Sequence, residues 1–173
     1  MIIASGVFFV TIIKTPTSIV KQFDLEKFLP YCLKCSNCQI CPVTDFSEDY
    51  TPTESFVYDI ISSEDPLGNV NLWKCVSCHY CQDVCPFGLS PHNLFMEIKA
   101  ASYSEGKSPS AVTSLIKSIV TTGRGFGVST RTDKMREKLG LSPLTSNGAK
   151  DVLKLSEITG ATKHIIIEKE EEQ

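Results

Sequence analysis

The chain has 173 residues and a formal net charge of −3. That length allows one domain or one domain with extensions, and 42% hydrophobic residues are enough for an ordinary core. No block of lysine and arginine accompanies the mild acidity, so nucleic acid is excluded as the expected partner.

Residues 1–13, MIIASGVFFVTII, are apolar but shorter than the about 20 residues a membrane span needs. They lack the leading basic residues and small-residue cleavage site of a signal peptide. Their β-branched and aromatic content reads as a strand or an extended arm; a start codon set too early and a weak membrane contact are the alternatives. An N-terminal apolar arm is expected over 1–23. Asp24 then reads as an N-cap, with Leu25, Phe28 and Leu29 on one helical face and Pro30 ending the helix just before the first cysteine.

All eight cysteines fall in two runs, CLKCSNCQICP (32–42) and CVSCHYCQDVCP (75–86). Three thiols spaced C-x2-C-x2-C wrap a short loop around one centre, and a more distant fourth closes it. The second run is the full bacterial-ferredoxin pattern, C-x2-C-x2-C-x3-C-P, for two [4Fe–4S] clusters in which the last cysteine of each run ligates the other cluster. The first run is one residue short before Cys41. Two structural zinc sites would also use eight thiols, but zinc favours paired C-x2-C knuckles separated by a long loop. A disulfide framework suits small secreted domains, and C-x2-C bridges are strained. Thiols committed to metal imply a reducing, oxygen-poor cytoplasm.

Between the runs, Thr51-Pro-Thr-Glu54 predicts a helix start with Thr51 as cap, Pro52 at the first position and Glu54 completing a capping box. Phe56, Val57, Ile60 and Ile61 follow at helical spacing. Asp65-Pro-Leu-Gly68 predicts a turn, and a helical turn carrying Val70, Leu72 and Trp73 leads into Cys75. Trp73 is expected over a metal site or the core. After the second run, Ser90-Pro91 opens a helix with Leu94, Ile98 and Ala101 on one stripe. Helices therefore flank both cysteine runs. The fold class expected is all-α: a helical ferredoxin core over 24–104 holding two [4Fe–4S] clusters, with a helical docking extension and acidic tail over 105–173.

In that extension, 105–110 reads as a linker. Ala111–Thr122 carries Val112, Leu115, Ile116, Ile119 and Val120 and ends at Gly123. The glycine run Gly123–Gly127 follows a helix rather than a strand, so it reads as a turn with Arg124 on the surface. Asp133–Leu139 and Gly148–Thr159 read as helices, the latter with Val152, Leu155 and Ile158. Ile165–Ile167 reads as a strand or docking segment, and 168–173 as a frayed tail. No catalytic constellation stands beside the cysteines. His79 reads as a solvent-facing loop residue, and His92 and His164 are scattered.

The two cysteine runs, with LWKCVSCHYCQDVCPFGLSPHNLFMEIKAA (72–101), resemble the C subunit of the CoB–CoM heterodisulfide reductases of methanogenic archaea. The glycine run and the helix before Leu139-Gly140-Leu141 resemble it more weakly, and the likeness spans roughly 24–165. It implies that Cys32, Cys35, Cys38 and Cys85 hold one [4Fe–4S] cluster and that Cys75, Cys78, Cys81 and Cys41 hold the other. It also implies a non-catalytic relay of electrons. They would come from the flavin- and cluster-bearing A subunit and go to the B subunit, whose clusters reduce the CoM-S-S-CoB heterodisulfide. A hydrogenase or formate dehydrogenase would join the larger complex. The cysteine motifs are shared with the iron–sulfur subunits of succinate and fumarate oxidoreductases and of glycerol-3-phosphate dehydrogenase. The former also carries a [2Fe–2S] domain, whereas no cysteine precedes Cys32 here. A free-standing ferredoxin is the remaining redox alternative, and the apolar helical stripes beyond Ser110 exceed what cluster housing requires.

Overall fold

A computed structural model describes residues 13–144 and 148–159. The described residues are helices and turns with no strand, as the all-α expectation requires. The chain divides into two compact units, one up to Lys107 and one from Ser108.

The first unit begins with a helix that the arm reading did not include, α1 (Thr17–Gln22). Ahead of it, the buried Thr15 hydroxyl donates to the carbonyls of Ile60 and of Ile61, the latter at 2.9 Å. The Ile61 carbonyl also accepts the Lys14 N–H at 3.0 Å, so the segment ahead of α1 is tied to that helix end by backbone and side chain together. Asp24 follows in a left-handed conformation, φ 48°, and its side chain does not cap. Its carboxylate instead meets Lys27 at 3.3 Å. Leu25 and Phe28 are buried as expected. Pro30, expected to end a helix, instead sits in the first turn of one, α2 (Leu29–Cys32). Proline has no N–H to donate, and the first turn of a helix asks for none. A short helix therefore delivers Cys32 directly.

Thr51 caps α3 (Pro52–Glu54): its hydroxyl accepts from the Glu54 N–H at 3.1 Å. The Glu54 carboxylate accepts from the same hydroxyl, at 3.1 Å, instead of reaching back to the Thr51 backbone. The chain then widens into a π-helical turn, Ser55–Ile61. Phe56, Ile60 and Ile61 are buried there against Phe28, Leu94 and Ile98, each large apolar side chain contributing roughly 1.5–3 kcal/mol.

A polar knot ties this turn to the second cysteine run. Asp59, nearly buried, accepts from Ser55 Oγ at 2.8 Å, Asn69 Nδ2 at 3.0 Å and Asn71 Nδ2 at 3.2 Å. Asn69 in turn caps the 3₁₀ turn Val70–Lys74 that ends at Cys75. Next come α4 (Tyr80–Asp83), inside the second run, and α5 (Pro91–Ser104), whose Leu94, Phe95 and Ile98 fill the core. Ser90 makes no side-chain cap to α5.

The second unit holds α6 (Ser110–Thr122), α7 (Thr130–Lys138) and α8 (Gly148–Ile158). Gly123 closes α6 at φ 70°, its N–H donating to the Ile119 carbonyl at 2.8 Å. Ser129 caps α7 three residues earlier than the charged stretch suggested. Arg124 is tied rather than free: its guanidinium donates to the Leu144 carbonyl at 2.8 Å. On α8 the expected apolar stripe departs from the structure, because Leu155 and Ile158 are exposed while Val152 and Ser156 turn inward. The arm's first twelve residues, His164, the Ile165–Ile167 segment and the acidic tail lie outside the described residues. Among the described residues, no helix is long and apolar enough to cross a membrane.

Candidate metal centre

The eight thiols are all free, with no disulfide among them. They gather into two groups, and each group draws from both runs. Cys32, Cys35, Cys38 and Cys85 line one cavity together with Thr53 and Phe87. Burial pushes the Cys32 thiol up to about 12 and Cys38 to about 11, and in both cases neighbouring thiols of this group, Cys85 among them, add to the shift. A Thr53 side-chain hydrogen bond pulls Cys38 back.

The second group is Cys75, Cys78, Cys81 and Cys41. Burial pushes Cys81 up to about 12, with Cys38, Cys75 and Cys78 adding to it and the His92 backbone N–H opposing. Burial also raises Cys41, whose charged neighbours are Cys78 and Cys75 and whose sulfur is held by the backbone N–H groups of Val43 and Thr44. The short spacing before Cys41 is absorbed locally. Asn37–Ile40 forms a 3₁₀ turn, and Cys41 then extends at φ −66°, ψ 130° into Pro42.

The second run bends sharply to do this. Ser77 (φ 57°) and His79 (φ 65°) both adopt the left-handed conformation that side chains disfavour. Such strain persists only where the surroundings impose it, and it concentrates at functional sites. His79 is exposed, as expected, and its ring lies 3.7 Å, centroid to centroid, from that of the buried His92.

Does this arrangement fit iron–sulfur clusters? Among the described residues, no three His, Cys, Asp or Glu side chains are drawn onto a point that would hold a single ion. The donor set is entirely sulfur, four to a group, as a [4Fe–4S] cluster requires. Burial first, and then mutual repulsion, disfavours the bare thiolates, and iron would offset both. Backbone N–H groups already directed at Cys41 and Cys81 are the usual outer partners of such sulfurs.

Two residues at the second group escaped the sequence reading. Tyr50 is buried with its hydroxyl facing the Cys75 sulfur, and its pKa is raised by burial first and then by Cys75, Cys41 and Cys81. Lys99 is buried on α5 with its ammonium donating to the Cys75 carbonyl at 2.8 Å. Burial lowers its pKa, and Cys75 pulls it back. Lys99 follows Ile98 directly and so lies off the Leu94, Ile98 and Ala101 stripe, which gave it no signal. Tyr50 sits in an irregular turn and offered none. Trp73 is half-buried beneath Lys99, 5.6 Å from ring centroid to ammonium.

Comparison with known proteins points to the same chemistry. Residues 28–89 match the 4Fe–4S dicluster domain family. The chain is similar to the C subunit of the ferredoxin/F(420)H(2)-dependent CoB–CoM heterodisulfide reductase of Methanosarcina acetivorans, 27% identical over 122 residues, covering 69% of this chain and 76% of the relative. It is also similar to a protein of Archaeoglobus profundus described as like the heterodisulfide reductase C subunit, 25% identical over 155 residues, covering 87% and 81%. A third relative is the C subunit of the ferredoxin:CoB–CoM heterodisulfide reductase of Methanosarcina mazei, 25% identical over 134 residues, covering 76% and 83%. The chain is thus an iron–sulfur electron-transfer protein resembling the C subunit of heterodisulfide reductases.

Proposed function

We propose that the chain is a cytoplasmic relay subunit of a heterodisulfide reductase-type complex. In this reading it holds two [4Fe–4S] clusters, one on Cys32, Cys35, Cys38 and Cys85 and the other on Cys75, Cys78, Cys81 and Cys41. Electrons pass one at a time from a flavin-bearing subunit to the catalytic subunit that reduces CoM-S-S-CoB, with a hydrogenase or formate dehydrogenase supplying them. The observation that carries the reading is the crossing: Cys85 joins the first run's thiols, and Cys41 joins the second's.

When bound, each cluster takes up and releases a single electron without making or breaking a substrate bond. The chain's own residues do the rest. Thiolates from both runs lock the two loops together. The N–H groups of Val43, Thr44 and His92 support the sulfurs. The buried face of α5 holds the second loop against the core. Tyr31 and Phe87 beside the first group, and Val76 and Tyr80 beside the second, expose apolar surface, which suits coverage by partner subunits.

Anaerobic reconstitution of the full chain with iron and sulfide tests this. About eight irons per chain and, on reduction, EPR of two interacting centres are expected. The isolated chain should leave CoM-S-S-CoB intact and support its reduction only with the flavin-bearing and catalytic subunits present. Zinc in place of iron, or robust heterodisulfide reduction by the chain alone, would overturn the reading.

A further inference from the structure

The two cysteine groups have unlike surroundings. Lys99 is only 8% exposed and forms no ion pair among the described residues. Its ammonium is held between the Cys75 carbonyl, 2.8 Å away, and the Trp73 ring. A buried cation without a counter-charge is costly. Tyr50, 1% exposed, holds its O–H beside Cys75, with Cys41 and Cys81 near, and the Cys75 sulfur is the acceptor it faces. A neutral thiol is a weak acceptor, so this buried donor is poorly served as well. Both surpluses lie at the second group, and both are relieved by negative charge there.

The first group has a donor, Thr53 on Cys38, but no buried cation beside it. The side chains lining its cavity include no cation, and their polar members besides the cysteines are Tyr31, Asn37 and Thr53. Lys34, between Cys32 and Cys35 in sequence, is exposed, so water screens its charge.

An added electron makes either site more negative. A nearby cation and a hydrogen-bond donor favour that change, and the low dielectric of a buried position strengthens their effect. We propose that Lys99 and Tyr50 act as positioning residues that make the Cys41/Cys75/Cys78/Cys81 site the higher-potential of the two, so that the first electron entering the chain rests there. The step is one electron from the reductant to that site, with no bond made or broken. This inference rests on the two-cluster reading above.

The test is an EPR-monitored redox titration, with dithionite as reductant, of the reconstituted full chain beside Lys99→Met and Tyr50→Phe. Iron and acid-labile sulfide are measured first. Wild type should titrate in two one-electron steps. In each variant the higher-potential step should fall, for Lys99→Met by at least tenfold in the reduction constant, about 59 mV for a one-electron couple, while the lower step moves less. If Lys99→Met fails to load its second site, Tyr50→Phe decides by the same shift in direction. Loaded variants with unmoved potentials, or a shift confined to the lower step, overturn the inference and leave the two-cluster reading intact. A wild type without two titrating centres overturns both.

Discussion

The Cys38 sulfur lies 3.7 Å from the carbonyl oxygen of Cys81, so the third cysteine of one run touches the third cysteine of the other. The two thiol groups therefore abut. Each group also borrows its fourth member across this seam, so the runs cannot separate without opening both sites.

That crossing makes Cys85→Ser informative. Cys85 follows Cys81 in sequence but belongs spatially with Cys32, Cys35 and Cys38. The substitution should cost the first-run centre about half the iron of the chain and leave the second-run EPR signal in place. Iron analysis and EPR of the reconstituted variant check this. Selective loss of the second-run signal would mean that the groups are assigned the wrong way round.

Asp59→Ala should loosen the second run without touching a thiol. The carboxylate collects three side-chain hydrogen bonds, from Ser55, Asn69 and Asn71, and removal strands all three donors, that of Ser55 fully buried. Hydrogen bonds to a charged group are worth about 1.5–3 kcal/mol each, and water recovers part of that. A net loss of about 2–3 kcal/mol is expected, read as a melting temperature several degrees lower for the loaded chain. A melting temperature unchanged within error would show that the knot is not structural.

Asp65 and Lys107 supply a pH signature away from the metal site. The Lys107 ammonium meets Asp65 Oδ1 at 2.8 Å. Its hydrogen bond holds the Asp65 carboxyl below the usual carboxylate range, and the same bond raises the lysine. A depressed carboxylate stabilises the fold above its unfolded pKa, about 3.9, and that contribution fades as pH falls through the lower folded value. A raised lysine contributes below about 10.4 and loses its contribution as pH climbs through the higher folded value. The pair thus gives a plateau across neutral pH, small because both groups are exposed. The stability gap between wild type and Asp65→Asn should shrink toward pH 3 and at about 1 M salt. A gap unchanged at low pH would assign it to something other than this ion pair.

How much of this was legible in the sequence differs from element to element. The cysteine spacing carried most, because a multi-iron group constrains the chain more tightly than any propensity does. Thr51 and Gly123 were readable because a cap hydroxyl and a left-handed glycine each answer a specific backbone need. Pro30 misled because proline both follows and opens helices, and only its neighbours decide which. The π-helical turn at Ser55–Ile61 was invisible, since Phe56, Ile60 and Ile61 suit an α-helical face equally well. On α8, Leu155 and Ile158 fit the period yet stay exposed, because the inward face is set by close approach to α6 rather than by apolarity. Lys99 and Tyr50 were hidden for a related reason: polarity alone places such residues outside, and their burial makes sense only beside thiolates.

The close approach of α6 and α8 rests on Gly123. A Cβ there would stand 2.7 Å from the Ala149 nitrogen and 2.9 Å from the Gly148 carbonyl carbon, both of them backbone that cannot swing aside. Its φ of 70° adds the left-handed cost, about 1–2 kcal/mol for a residue with a side chain. Gly140 has nearly the same φ, 69°, but open space around it. Gly140→Ala should therefore cost only the conformational part, and Gly123→Ala should cost that part plus the displacement of α8. Hydrogen exchange separates the two. Gly123→Ala should speed exchange along both α6 and α8 while the amides of α5 keep their protection, whereas Gly140→Ala should leave α6 and α8 close to wild type. Equal effects from the two substitutions would mean that the approach of α8 to Gly123 contributes nothing to this unit's stability.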